Sequence, residues 1–278
     1  MMKAAASHEL KSIGVVGAGR MGTPIIGHLA RKGFSTLACD LNPARADAVK
    51  KLGAQWKAGP ESLAAECDAI LVCVGFDREV QELLAEGGSL RRARPGTVIA
   101  ILSTIHPKTV QALAAQCAGA GIHVVDSTVC RGGEAADRGT LLSFVGGDAA
   151  VVARLTPVLR AYSSDVVHTG AVGSAQLAKA VNNLILWACM VANHEGLALA
   201  RHFGADVETL RRALLLSSCA NGPLEKWGTQ TMAWADDDLA IVAEMAAEAG
   251  IALPQAGLDR EICRVLKPKL HKLELYGR

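Results

Sequence analysis

Six residues near the start of the chain constrain its fold more than any others. Gly17-Ala18-Gly19-Arg20-Met21-Gly22 stands between an apolar run, Ile13-Gly14-Val15-Val16, and a helical pattern over 25–32. In a strand that turns through this spacing into a helix, the first glycine permits a tight turn and the second lets backbone approach a pyrophosphate. The third lets helix pack on strand, and the helix N-terminus supplies positive potential for phosphate. The spacing alone is weak; its place between strand and helix makes it specific. A second apolar run, 35–39, leads into Asp40, eighteen residues after Gly22, where a carboxylate can accept hydrogen bonds from ribose hydroxyls. Leu41 follows rather than a cation, so Asp40 and Leu41 predict NAD as the cofactor and disfavour the 2′-phosphate of NADP.

Further apolar runs at 69–74, 97–102, 122–125 and 141–145 alternate with helical patterns. That alternation predicts a mostly parallel sheet covered on both faces. Gly33 follows the first helix, while Pro43 opens the second and Gly53 closes it, as capping preferences require. The strand pattern stops after His168, and residues 173–203 form a proline-free helical stretch that would run roughly 45 Å at 1.5 Å per residue. Three more helical segments, 206–216, 236–249 and 255–266, complete the chain. The expected class is α/β: an N-terminal Rossmann doubly wound sheet over 1–170, then an all-α domain over 171–278 built on the long linking helix.

Composition excludes several function classes. The net charge of +2 has no basic stripe behind it, so nucleic acid is not expected as a partner. The clusters Arg91-Arg92-Ala93-Arg94 and 267–272 read as solvated faces. Eight cysteines are scattered singly, without a Cys-x-x-Cys pair, which predicts reduced thiols, a cytoplasmic setting and no metal. The opening residues 1–8 lack the apolar stretch of a secretory leader. The longest apolar run, 184–192, is well short of the roughly 18 residues of a membrane span, so no membrane is expected.

Chemistry is expected on the long helix. Its segment 177–187 is apolar except for Lys179, Asn182 and Asn183, and Lys179 and Asn183, four residues apart, share a face. A buried ammonium costs energy without a partner and can be tuned for acid–base work; alternatively the lysine snorkels to water. Cys130-Arg131-Gly132-Gly133 is a second candidate, because glycines let backbone approach a ligand and an arginine fork can hold a carboxylate. The alternative there is an exposed turn with Arg131 in solvent or paired with Glu134.

With these motifs in order, the chain resembles the β-hydroxyacid dehydrogenase family nearly end to end. The likeness rests on 13–22, Asp40-Leu41-Asn42-Pro43, Pro95-Gly96-Thr97-Val98, Ser103-Thr104, Gly139-Thr140-Leu141, Val145-Gly146-Gly147-Asp148, His168-Thr169-Gly170 and the 179–183 helix. The resemblance implies that Lys179 is the acid–base group and that Asn183 and Asn182 help hold substrate. It places Thr104 on the nicotinamide side, Val74 and Gly75 along the cofactor, and Asp238 near it. Four departures mark this chain: Cys130-Arg131-Gly132 where the family has Ser-Gly-Gly, Ala175 where it often has Gly, Asp237-Asp238-Leu239 where it has Lys-Asp-Leu, and a shorter connection over 221–236. The implied activity is NAD-linked hydride transfer to or from a small β-hydroxy acid or related polar, anionic substrate. Other readings are an imine reductase, which generally lacks this lysine, and a nucleotide-sensing relative without chemistry. A homodimer or homotetramer is expected, with Leu184, Ile185 and Trp187 offering an apolar helix face.

Overall fold

The computed structural model describes residues 9–276, so the reading of 1–8 lies outside the described residues. Strands buried on both faces must be apolar along their length, and the central runs obey this. In chain order the strands are β1 Ser12–Val16, β2 Ser35–Cys39, β3 Gln55–Trp56, β4 Ala69–Val72, β5 Val98–Ile101, β6 His123–Asp126, β7 Val129–Cys130, β8 Leu141–Gly146 and β9 Ser163–Gly170. Among the described residues they form one sheet in the order β3-β2-β1-β4-β5-β6-β8-β7, with β9 also paired to β8. The first six positions are parallel, β8 runs antiparallel to β6 and β7, and β9 is parallel to β8. Strand order reverses between β1 and β4. In open α/β sheets such a reversal leaves a crevice at the carboxyl ends of the strands, where ligands bind.

The first unit also holds helices α1 Gly22–Arg31, α2 Ala46–Lys51, α3 Pro60–Glu66, α4 Asp77–Leu84, α5 Pro107–Ala118, α6 Gly132–Arg138 and α7 Ala149–Leu159. Alternation along each strand sends side chains to two cores. Ile13, Val15 and Leu71 join Ile25, Ile26 and Leu29 of α1 on one face. Val16, Ile70, Val72, Ile99 and Ile101 meet Leu63, Val80 and Leu113 on the other. The six strands expected from sequence are present. Missed were β3 and β7, two residues each and too short for a periodic signal, and β9, whose exposed polar residues carry no apolar run.

The second unit is helical: α8 Ser174–His202, α9 Val207–Leu214, α10 Gly222–Glu225, α11 Ala235–Ala249 and α12 Pro254–Leu266. Its core gathers Trp187, Met190 and Val191 of α8 with Met232, Leu239, Cys263 and Leu266. By length and composition α8 could also cross a membrane, its best window having a mean hydropathy of 1.2; here those three residues are interior. Trp187 is therefore a core residue and not part of an outward helix face, a correction to the sequence expectation. Its indole N–H also has an internal acceptor, Asp238 Oδ2 at 3.0 Å. By packing, the chain divides into Met1–Lys179 and Ala180–Arg278. This division falls inside α8, beyond the 170/171 boundary drawn from the end of the strand pattern, because the first turns of the helix are bonded to the strand ends of the first unit.

Candidate active site and cofactor site

The phosphate loop is built by exclusion. Gly17 has φ +97°, and a Cβ there would lie 2.2 Å from the Cys73 carbonyl oxygen. At Gly22 a Cβ would lie 1.9 Å from the Gly17 carbonyl oxygen, so neither position admits a side chain. Gly19 differs: a Cβ would meet only Arg45 Nη1, at 3.8 Å. Space above Gly19 is therefore open, as close approach of a pyrophosphate to backbone requires. Ala18 and Met21 complete the turn, with the Thr23 hydroxyl donating to the Ala18 carbonyl at 2.6 Å. The Arg20 guanidinium makes two 2.7 Å bonds to Asp137 on α6. A cleft of about 480 Å³ opens beside this loop, with Gly19, Arg20, Thr23, Arg31 and Arg45 in its lining.

Asp40 stands at the end of β2 and is tied into the loop: its carboxylate accepts from Ala18 N at 2.7 Å and Asn42 N at 2.8 Å. Leu41 beside it is 96% exposed, an apolar surface suited to one face of an adenine ring. Sequence reasoning missed Arg45. The Asn42-Pro43 turn carries it back over the loop, where Nη1 donates to the Ala18 carbonyl and Nε lies 3.6 Å from Asp40 Oδ1. At the end of β4, Val74 N donates to Ser103 Oγ at 3.0 Å, and that hydroxyl donates back to the Val74 carbonyl at 2.9 Å. Gly75 N donates to Glu79 Oε2 at 2.6 Å, and Thr104 follows Ser103, half-buried.

The second candidate segment is not a free loop. Cys130 is buried and ends β7, Arg131 takes the left-handed conformation at φ +85°, and Gly132 and Gly133 open α6. Arg131 Nη1 donates to Asp165 Oδ2 at 2.7 Å, Ser164 Oγ at 2.8 Å and the Thr140 carbonyl at 3.1 Å. The guanidinium holds the Asp165 carboxyl below its usual range, as does the Ser164 hydroxyl. Glu134, the partner considered from sequence, instead faces Arg138 at 3.2 Å. Gly133 packs directly beneath Arg20, whose guanidinium would stand 2.4 Å from a Cβ there. The phosphate loop and the start of α6 are thus mechanically joined.

Lys179 is part-buried in the first turns of α8. Its ammonium turns inward, donating to the Val129 carbonyl at 2.8 Å, and Cys130 Sγ lies 3.9 Å away. One turn further along α8, Asn183 is buried and its Oδ1 accepts from Asn182 Nδ2 at 2.9 Å. Two buried polar residues with no sequence signal of their own support this helix. The Asp126 carboxylate, fully buried, accepts from Gly173 N at 2.8 Å and Gln176 N at 2.9 Å. Burial pushes the Asp126 carboxyl above its usual range against those bonds.

Residues 12–170 match the family model for the NAD-binding domain of 6-phosphogluconate dehydrogenase. Residues 173–274 match the model described as NAD-binding of NADP-dependent 3-hydroxyisobutyrate dehydrogenase. The chain is 31% identical to 2-(hydroxymethyl)glutarate dehydrogenase of Eubacterium barkeri, over 90% of this chain and 87% of that one. The chain belongs to the β-hydroxyacid dehydrogenase family. It is 29% identical to the NAD-dependent L-serine dehydrogenase of Pseudomonas aeruginosa, over 78% of this chain and 73% of the other. A 3-hydroxyisobutyrate dehydrogenase structure from Mycobacterium tuberculosis, studied with L-serine, shares the fold at TM-score 0.85 and 23% identity, covering 94% and 95% of the two chains.

As a β-hydroxyacid dehydrogenase, the protein is an NAD(P)-dependent enzyme acting on a CH–OH group. The residues on hand fit such a cofactor: open space above Gly19, a carboxylate at the end of β2, and the backbone of Val74 and Gly75 just past β4, the strand next to β1. When bound, the nicotinamide accepts or returns a hydride.

Proposed function

We propose that this dehydrogenase oxidises, with NAD, a small carboxylate that bears a hydroxymethyl group on its α-carbon, and that Lys179 exchanges the hydroxyl proton. The observation that carries the reading is the inward Lys179 ammonium. A snorkelling lysine would send its head to water, whereas Nζ lies 2.8 Å from the Val129 carbonyl at the strand ends. The ammonium has three N–H bonds and no lone pair, so to serve as base in the oxidation it must first give up one proton. With one remaining N–H on Val129 and the other towards Cys130 Sγ, the lone pair so freed is left for the substrate hydroxyl, whose proton passes to Nζ as hydride leaves the carbon. Asn183 and Asn182 orient the substrate.

The related enzymes supply the substrate class. 3-Hydroxyisobutyrate, L-serine and 2-(hydroxymethyl)glutarate all carry a hydroxymethyl group on the carbon next to a carboxylate. The segment Cys130, Arg131, Gly132 and Gly133 is proposed to take that carboxylate. Arg131 is paired to Asp165, but both are exposed, and an exposed ion pair is screened by water and contributes little. A substrate carboxylate can therefore compete for the fork.

NAD is proposed over NADP, with the cofactor held by Gly17, Ala18, Gly19, Arg20, Met21, Gly22, Asp40, Leu41, Val74, Gly75 and Thr104. A cytoplasmic homodimer or homotetramer is the proposed state; Val181 and Ile185, outward on α8, support an assembly contact. The test is a panel of the three hydroxymethyl acids with NAD, read by NADH formation. Turnover of one or more is expected. NADH binding without turnover of any of them would contradict the proposed substrate class.

A further inference from the structure

The first turn of α8 is fixed by a buried network that no substrate or cofactor role explains. Gln176, 1% exposed, is bonded through its backbone N–H and through both ends of its side-chain amide. Its backbone N–H goes to Asp126 at the end of β6. Its side-chain Oε1 accepts from Ile105 N at 3.0 Å, and Nε2 donates to the Ser103 carbonyl at 2.8 Å. Ser103, at the end of β5, is the residue whose hydroxyl both donates to and accepts from the Val74 peptide at the end of β4. Thr128 Oγ1 donates to the Ala175 carbonyl at 3.0 Å, and Asp126 also receives Gly173 N. One continuous chain of hydrogen bonds therefore joins the ends of three parallel strands to the helix turn that precedes Lys179.

The spacing gives this chain its meaning. Lys179 is three residues after Gln176, about 4.5 Å along the axis, and its ammonium returns to Val129, between Thr128 and Cys130. A buried amide with both ends bonded tolerates little displacement, since a shift leaves a donor or acceptor unpaired at a cost of about 1–3 kcal/mol. We propose that Gln176 and Asp126 are positioning residues that set the Lys179 ammonium at a fixed height above the strand ends, in register with the Val74 peptide. This rests on the proposed acid–base role of Lys179. A displacement of roughly 1 Å in such a group can cost about a hundredfold in rate.

The test uses the full-length enzyme with an active hydroxymethyl acid and compares Gln176→Leu, Gln176→Glu and Lys179→Ala. A protonated glutamic acid reproduces the amide pattern, accepting from Ile105 N and donating to the Ser103 carbonyl, whereas an ionised one cannot donate. Asp126 and Lys179, with His106 and its partner Asp77 beside Ile105, are the titratable groups bonded to or next to the residues that hold this amide; His123 on β6 and His194, Glu195, Arg201 and His202 on α8 lie further along the same elements. Each rate is therefore taken as a ratio to wild type at the same pH. Gln176→Leu is expected to lower kcat by about tenfold to a hundredfold, raise the primary deuterium isotope effect, and leave KM for NAD within about twofold. Gln176→Glu is expected to approach wild type near pH 6 and fall away near pH 9, with circular dichroism unchanged; it carries the test if the leucine variant fails to fold. Wild-type kinetics in both Gln176 variants beside an inactive Lys179→Ala would overturn the positioning role alone. Ordinary turnover in Lys179→Ala would overturn the acid–base reading and the inference with it.

Discussion

Replacing Asp40 by Ser is expected to reverse the cofactor preference, and the structure sets the scale. Two like unit charges about 4 Å apart repel by about 1 kcal/mol in bulk water and about 4 kcal/mol at an effective dielectric constant near 20. A 2′-phosphate beside Asp40 meets that repulsion, while Arg45, with Nε 3.6 Å from the same carboxylate, offsets part of it. A net preference for NAD of at least about 1.4 kcal/mol, or tenfold in kcat/KM, follows for the wild type. In Asp40→Ser the repulsion is gone and Arg45 loses its carboxylate partner, leaving its Nε and Nη2 edge for the phosphate while Nη1 stays on the Ala18 carbonyl. The NADP/NAD ratio of kcat/KM should rise by at least about thirtyfold, and Arg45→Ala in the same background should return most of it. The assay is initial-rate NADH or NADPH formation at saturating hydroxy acid. Equal use of both cofactors by wild type, or an unchanged ratio in Asp40→Ser, would refute the assignment of Asp40 to the ribose.

The loop glycines should separate stability from binding. Gly22→Ala, whose Cβ would stand 1.9 Å from a backbone oxygen, should cost at least about 2 kcal/mol of stability by thermal melt. Gly19→Ala, with no such contact, should melt like wild type while NADH affinity by fluorescence titration falls about tenfold or more. Arg131→Ala should raise KM for the active hydroxy acid several-fold and leave KM for NAD unchanged, and Asp165→Asn, which removes the competing negative charge while Ser164 and Thr140 still accept from Nη1, should lower KM for the hydroxy acid; equal kinetics in all three proteins would remove Arg131 from substrate recognition. Burial pushes His194 below the usual histidine range, with His271 adding to the effect. The unfolded chain therefore takes up a proton that the native state resists, and the stability present above about pH 6.5 is lost as pH falls below it. Between about pH 7.5 and 5.5 the urea midpoint of wild type should fall more steeply than that of His194→Gln; parallel curves would show that His194 is not the group responsible.

The first unit was legible because its determinants are local. The glycine loop, the apolar strands and the caps at Gly33 and Gly53 are set by neighbours in sequence, and β2 falls at 35–39 as expected. What escaped depends on the fold bringing distant residues together. Arg45 reaches Asp40 only because a turn at Asn42-Pro43 reverses the chain. Gln176 and Asp126, fifty residues apart, read as ordinary polar positions until β6 and α8 meet. The partner of Arg131 is thirty-four residues away on β9, a polar strand invisible to hydrophobic periodicity. Lys179 was found by its anomaly, a charge in an apolar helix, but the direction of its side chain is a tertiary fact. Trp187 was misplaced for the converse reason: apolar residues on a long helix look alike until its partners are known, and α11 and α12 take that side.

The acid–base assignment is tested most directly by turnover and binding measured on one variant, Lys179→Ala, with wild type beside it. Loss of a positioned proton-transfer group should lower kcat by about a hundredfold or more, while the NADH dissociation constant stays within about twofold, because the ammonium bonds to Val129 and not to the phosphate loop. Turnover within a few-fold of wild type would contradict the account, and Lys179 would then be a structural tie between α8 and the end of the sheet.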